Sequence, residues 1–233
     1  MSGKLFKIIL TLLVGGIGGF LSSRFFLPPS SAENKVVEVE KREVVQENTI
    51  LEEAINKNRK VVVGIKTEIG SGKNKKIING SGLFVTSDGL IIALSSLISE
   101  KGNSYFYLEG ADKPLTNYQV LKRDWKNNLA LVKVKGDGFK TCGFSDFNNA
   151  RLGEKVFLIG SIFKDGKNFK LVNSGIIKFF DKDYIHTNMA ESEPLNGSFL
   201  FNIKGELVGI SMVDDQGEVF AVPVNKIRSF IGF

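Results

Sequence analysis

The sequence predicts an all-β fold, a sandwich or barrel, and three observations carry that prediction. From Val61 onward about ten short runs rich in β-branched and aromatic residues follow one another, among them residues 61–69, 77–87, 129–136, 155–163 and 198–213. Turn residues separate the runs: Ser87-Asp88-Gly89, Gly136-Asp137-Gly138, Lys164-Asp165-Gly166-Lys167, Ile203-Lys204-Gly205 and Asp215-Gln216-Gly217. No strand–helix alternation appears, which excludes a doubly wound α/β sheet.

Composition narrows the chemistry. The 233 residues are 42% hydrophobic and 24% charged, a globular mixture rather than a disordered one. The single cysteine, Cys142, excludes an intrachain disulfide and a cysteine-rich zinc site, and it reads as a buried, inert thiol. The single histidine, His186, must serve any reaction that needs an imidazole. Acids flank it (Asp181, Asp183, Glu191 and Glu193), but they do not specify convergent ligands, so no metal is expected. Gly80-Ser81-Gly82 has no helix after it and is not a phosphate loop; no cofactor is expected. The net charge of +6 is spread along the chain, and Lys73-Asn74-Lys75-Lys76 reads as a solvated loop. No nucleic-acid partner is expected.

Residues 1–27 read as a membrane anchor or signal segment. Residues 8–21 carry no charge, with Lys4 and Lys7 before them and Arg24 after. A spanning helix needs about 20 apolar residues. Residues 5–27 supply that length if Lys7 and Arg24 snorkel to the interfaces. The basic amino end favours a single-pass cell-membrane protein with its C-terminal domain extracytoplasmic. A cleaved signal peptide, cut near Ser30-Ser31-Ala32, is the alternative; the uncleaved anchor is favoured, because Phe25 to Pro29 puts bulk before that point. Gly15 and Gly19 would let two such helices approach, which makes a homo-oligomer one expectation. Residues 28–48 read as a linker or stalk and residues 49–233 as the folded domain. Thr49 and Glu52 form a capping box for a helix over residues 50–58, with Leu51, Ala54 and Ile55 toward the core. A last helix over residues 224–230 closes the domain.

Six segments, taken in order, resemble the HtrA/DegP-like branch of the trypsin-like serine proteases. They are the hairpin from Gly80 to Ile92, Asn128-Leu129-Ala130-Leu131-Val132-Lys133, and Leu152-Gly153-Glu154-Lys155-Val156-Phe157-Leu158-Ile159-Gly160. Asn173-Ser174-Gly175-Ile176-Ile177, Asn202-Ile203-Lys204-Gly205-Glu206-Leu207-Val208-Gly209-Ile210 and Phe220-Ala221-Val222-Pro223-Val224 follow. The resemblance covers about residues 50–233. It implies a trypsin-like double β-barrel, two six-stranded barrels with a cleft between them, carrying an N-terminal transmembrane helix and a short helix before and after the barrels. The PDZ domain that many members append is expected to be absent.

The same resemblance implies the site. Ser96 stands where the family has its catalytic histidine, Asn128 where it has aspartate, and Asn196 where it has the serine nucleophile. Pro194, which has no N–H, stands where a backbone donor would complete the oxyanion hole. Acyl transfer on this fold needs nucleophile, base, orienting carboxylate and oxyanion donors together. The expectation is therefore a proteolytically inactive protein that binds a polypeptide or envelope-protein partner, holding misfolded chains or regulating an active relative. The alternative is an active serine endopeptidase with Ser198 as relocated nucleophile and His186 as base. A Ser–Lys pair is a further imitation of the machinery, but the lysines nearest the motifs in sequence, Lys101 and Lys204, look like turn residues. A purely structural envelope protein is the third class.

Overall fold

The computed structural model describes residues 48–111, 113–191 and 195–233, with Gly3 and Leu13 as isolated positions. The expected anchor over residues 5–27 and linker over residues 28–48, Leu13 and Asn48 apart, therefore lie outside the described residues, as does Pro194. Among the described residues no helix is long and apolar enough to cross a membrane.

Residues Thr49–Phe233 form one compact unit. It opens with a helix, α1, described over residues 48–58. Asn48 and Thr49 are both helical, so Thr49 lies inside the helix rather than at its cap. Leu51, Ala54 and Ile55 do face the core, at the spacing expected of a one-sided apolar stripe. The side chain of Asn58 is fully buried and donates to the Gly205 carbonyl at 3.0 Å, tying the helix end to a turn more than a hundred residues on. That turn needs glycine: φ is +76° at Gly205, and a Cβ would lie 2.5 Å from the Asn58 amide nitrogen.

Twelve strands follow among the described residues. The first six are β1 (Val62–Ile69), β2 (Lys76–Phe84), β3 (Leu90–Leu94), β4 (Gly102–Tyr107), β5 (Tyr118–Asp124) and β6 (Leu129–Val134). The second six are β7 (Lys155–Lys164), β8 (Lys167–Phe180), β9 (Ile185–Ala190), β10 (Phe199–Asn202), β11 (Leu207–Val213) and β12 (Glu218–Pro223). Helix α2 (Val224–Ile231) ends the fold, burying Val224, Ile227 and Phe230 and stopping at Gly232, where φ is +88°. The all-β class and both flanking helices are as the sequence predicted.

The double barrel is borne out in part, as two six-stranded barrel-like sheets of which one closes. The second six strands close on themselves in the order β10-β11-β12-β9-β8-β7. The first six form an open sheet, β4-β1-β2-β3-β6-β5, with β4 and β5 at its edges. The approach to β5 contains Pro114, which has no N–H to continue a ladder, and pairing with β4 is confined to the isolated bridge Phe106–Leu115. Side chains span the rest of the gap: the Ser104 N–H donates to the Tyr118 hydroxyl at 3.3 Å, and the Phe106 and Tyr118 rings meet edge to face at 5.3 Å. Strand β5 itself was absent from the predicted runs. Three of its seven residues are charged, and a bulge between Val120 and Lys122 breaks its alternation.

Alternate residues of the strands enter different cores. In β6, Ala130, Val132 and Val134 fill the interior of the first sheet, while Leu129 and Leu131 join a larger cluster. In β7, Val156 and Leu158 fill the second barrel, while Phe157 and Ile159 join that same cluster. The shared cluster lies between the two sheets. These strands are buried on both faces, which is why they read as unbroken apolar runs rather than as alternation.

A candidate functional site in the cleft between the sheets

The cleft is assembled from three turns. Strand β3 runs into a 3-10 turn, Ser95–Leu97, that buries Ser95 and Leu97 and leaves Ser96 exposed. The β5–β6 turn delivers Asn128 just before β6, with φ at +54°. Asparagine tolerates that left-handed conformation better than most residues. The loop before β10 delivers Asn196. It is held to β11 by hydrogen bonds from the Gly197 N–H to the Ser211 carbonyl, 2.8 Å, and from the Ser211 N–H to the Ser198 carbonyl, 2.7 Å.

Ser96, Asn128 and Asn196 line one cleft of about 510 Å³. Residues 76–79 of β2, with Leu94, Leu97 and Met212, complete its wall. Both faces of the Asn128 amide are used: its Oδ1 accepts from the Ser96 N–H at 2.9 Å, and its Nδ2 donates to the Ser96 hydroxyl at 3.1 Å. The Ser95 N–H donates to the Asn128 carbonyl at 2.8 Å, extending the β3–β6 ladder into the turn. Asn196 uses its Oδ1 to accept from the Val213 N–H at 3.0 Å. An amide and a hydroxyl exchange hydrogen bonds but take up no proton near neutral pH. These three side chains thus bring hydrogen-bond donors and acceptors to the cleft wall.

The other candidate pair is not brought together. Ser198 is fully buried, and its hydroxyl donates to the Leu195 carbonyl at 2.8 Å. It packs against Gly160 so closely that a Cβ there would lie 2.1 Å from Ser198 Oγ. His186, on β9, is stacked on Phe179 with ring centroids 4.1 Å apart, and its Nε2 is 2.7 Å from Asp181 Oδ2. That hydrogen bond is the main reason the Asp181 carboxyl lies below its ordinary range. The acids near His186 face other partners: Asp183 pairs with Lys226, and Glu191 accepts from Asn173. Cys142 packs against the shared core, and burial pushes its thiol up to about 12, so it stays protonated.

One cluster escaped the sequence reading. Lys170 donates to the Val62 carbonyl and, at 2.9 Å, to the Ser161 hydroxyl, while the Ser161 N–H donates to the Ser81 hydroxyl at 2.8 Å. Burial lowers the ammonium to about 8. Ser161 and Lys170 are cross-strand partners in the β7–β8 hairpin. The signal was present: a two-residue Asp165-Gly166 turn pairs Lys164 with Lys167, and counting back three rungs pairs Ser161 with Lys170. Both serines are nearly inaccessible, which keeps this hydroxyl–amine pair from substrate.

The trypsin-like peptidase domain matches the chain over residues 80–210, a span that includes all three cleft residues. Serine protease HTRA1 of Xenopus tropicalis is 31% identical over 170 residues, covering 66% of this chain and 35% of that protein. The "Probable periplasmic serine endoprotease DegP-like" of Rhizobium meliloti is 26% identical over 177 residues, 70% of this chain and 34% of that protein. The "Probable serine protease do-like" of Buchnera aphidicola is 25% identical over 166 residues, 64% and 34%. The matches thus span about a third of the length of these relatives.

Proposed function

This chain belongs to the trypsin-like peptidase domain family, and we propose that within it the protein binds polypeptide in the cleft between its sheets without hydrolysing it. The chain is related to the HtrA/DegP serine proteases, and the cleft is read as the counterpart of their active site because the resemblance aligns Ser96, Asn128 and Asn196 with it and all three line the cleft. The observation that carries the reading is the hydrogen bond from the Asn128 amide to the Ser96 hydroxyl, in a cleft that also takes in Asn196. On this reading the three positions that the resemblance assigns to base, carboxylate and nucleophile share one cleft but lack that chemistry, since none of the three groups accepts a proton near pH 7. The resemblance also aligns Pro194, which lacks an N–H, with the residue that supplies an oxyanion donor, and removing one such donor costs on the order of 3 kcal/mol in other enzymes. In this proposal the protein is held at the cell membrane by residues 5–27 with the folded domain outside the cytoplasm. The word periplasmic in the name of the Rhizobium meliloti relative supports that side of the membrane.

The test uses the full chain. Incubation with unfolded casein is expected to give no cleavage, and a fluorophosphonate probe no labelling, while casein is retained in a pull-down. Labelling that disappears in Ser198→Ala would overturn the proposal in favour of a relocated nucleophile.

A further inference from the structure

A second depression, of about 680 Å³, lies between the β5–β6 turn and α2 and shares no wall residue with the cleft. We propose that it is a binding site for an acidic polypeptide segment that carries an aromatic or other apolar side chain.

Its aromatic wall is Trp125, the only tryptophan in the chain, with Phe230 beside it. Trp125 is 69% exposed, an unusual state for so large an apolar ring. The indole is nonetheless backed by a fixed group. The Arg123 guanidinium lies 5.2 Å from its centroid and is held by hydrogen bonds to the Ser95 hydroxyl, 2.9 Å, and the Ser95 carbonyl, 3.2 Å. A pre-positioned ring loses little conformational freedom on binding, and covering it returns the free energy of its exposed apolar surface.

Charge decides the kind of ligand. The wall holds the cations Lys122, Arg123, Lys126 and Lys226 against the carboxylates Asp124 and Asp183, a net charge of +2, with Arg123 also 3.8 Å from the Glu100 carboxylate outside the wall. Both carboxylates are engaged at home. Asp183 accepts from Lys226 at 2.6 Å, and Asp124 accepts from the Asn127 amide at 2.6 Å and from the Lys126 N–H at 2.9 Å. These contacts hold both carboxyls below their ordinary range, so they remain ionised and repel anions no more than their pairing allows. Lys122 spends one donor on the Phe230 carbonyl at 2.8 Å, where its ammonium also sits 4.9 Å over the Phe230 ring. An ammonium has three donors, so two remain for a carboxylate. Cations around a concave aromatic wall fit side-chain carboxylates flanking one apolar group. A nucleic acid would need a row of cations tracking its phosphates, which a local excess of +2 does not supply.

The single tryptophan makes the test direct. The full chain is titrated, with excitation confined to tryptophan, against the pentapeptide Glu-Glu-Phe-Glu-Glu and against its Gln and Lys counterparts. The acidic peptide is expected to shift Trp125 emission to the blue saturably, with affinity falling as salt is raised from about 0.05 M to about 0.5 M. The Gln and Lys peptides are expected to bind at least about tenfold more weakly. Lys126→Glu should weaken the acidic peptide by about tenfold or more, while Lys167→Glu, the same charge change on the β7–β8 hairpin, should stay within about twofold. Equal responses to the three peptides, or no response to the acidic one, would overturn the proposal. So would a blue shift produced by anionic vesicles and not by the acidic peptide, which would make the groove a membrane-facing patch. The readout is at Trp125, so failure here leaves the reading of the cleft standing.

Discussion

The open cleft and the sealed interior hold complementary halves of one chemistry. The cleft brings together the neutral hydrogen-bonding groups of Ser96, Asn128 and Asn196, with Lys76 of β2 on its wall, but among the described residues that line it there is no imidazole and no carboxylate. The interior has an amine lowered to about 8 and a hydroxyl 2.9 Å away, Lys170 and Ser161; the hydroxyl is buried while the lysine is part-exposed. The imidazole of His186 is separate again, paired with Asp181 and stacked on Phe179. An inventory of the chain would find serine, lysine, histidine and aspartate in contact, and none of those contacts is in the cleft. Reactivity on this fold requires a proton acceptor, a nucleophile and access in one place.

The largest effect that tests this contrast is expected at Gly160. If Ser198 is a packing residue rather than a displaced nucleophile, the space beside it is already full. Gly160→Ala puts a Cβ 2.1 Å from Ser198 Oγ and 3.2 Å from Leu195 Cδ2 in a buried region. A loss of about 3 kcal/mol or more is expected in urea unfolding. The double variant Gly160→Ala/Ser198→Gly, which removes the hydroxyl and Cβ in the way, should recover more than half of that loss. No recovery would mean that the crowding lies elsewhere.

Lys170 gives the next effect, and its sign follows from burial. The amine titrates near 10.5 when unfolded and near 8 when folded, so the folded state prefers it neutral. Below pH 8 both states carry the charge and the cost of burying it is fully present. Between about pH 8 and 10.5 the unfolded chain binds more protons, and stability rises with pH. The gain attributable to this group approaches about 3 kcal/mol at most. The measurement is the difference between the parent chain and Lys170→Met in urea midpoint across that range, which isolates this one amine. Parallel curves would show that the amine is solvated and that the interior is less sealed than the geometry indicates.

How much of this was legible in the sequence depends on whether the information was local. Eleven of the twelve strands, both flanking helices and the main turns follow from apolar runs and from Asp-Gly or Gly-bearing punctuation, because those signals act within a few residues. Strand β5 did not, since its place comes from pairing with β6 and not from its own mixed composition. The open edge of the first sheet could not be read either; it depends on where β4 and the approach to β5 meet in space. The cleft residues were reachable only through ordered motifs, as Ser96, Asn128 and Asn196 carry no local mark. Arg123, which joins the Trp125 groove to Ser95, carried no signal at all. Its role exists because β5 runs past the Ser95–Leu97 turn.

The smallest effect is expected at Asn128, and it separates the two things that residue does. Its amide satisfies the Ser96 N–H and hydroxyl, and its backbone holds φ at +54°. Asn128→Ala loses both hydrogen bonds and places an ordinary Cβ residue in the left-handed region, so a loss of about 2 kcal/mol is expected. Asn128→Gly removes the conformational strain while still losing the amide, and about 1 kcal/mol should remain. Asn128→Asp keeps the acceptor for the Ser96 N–H and the shape of the turn, and should cost less than either. Because a carboxylate beside a serine hydroxyl still lacks an imidazole, Asn128→Asp should cleave casein no faster than the parent chain. A variant that gained hydrolysis from this one change would place a working base in the cleft and erase the contrast between the open site and the sealed one.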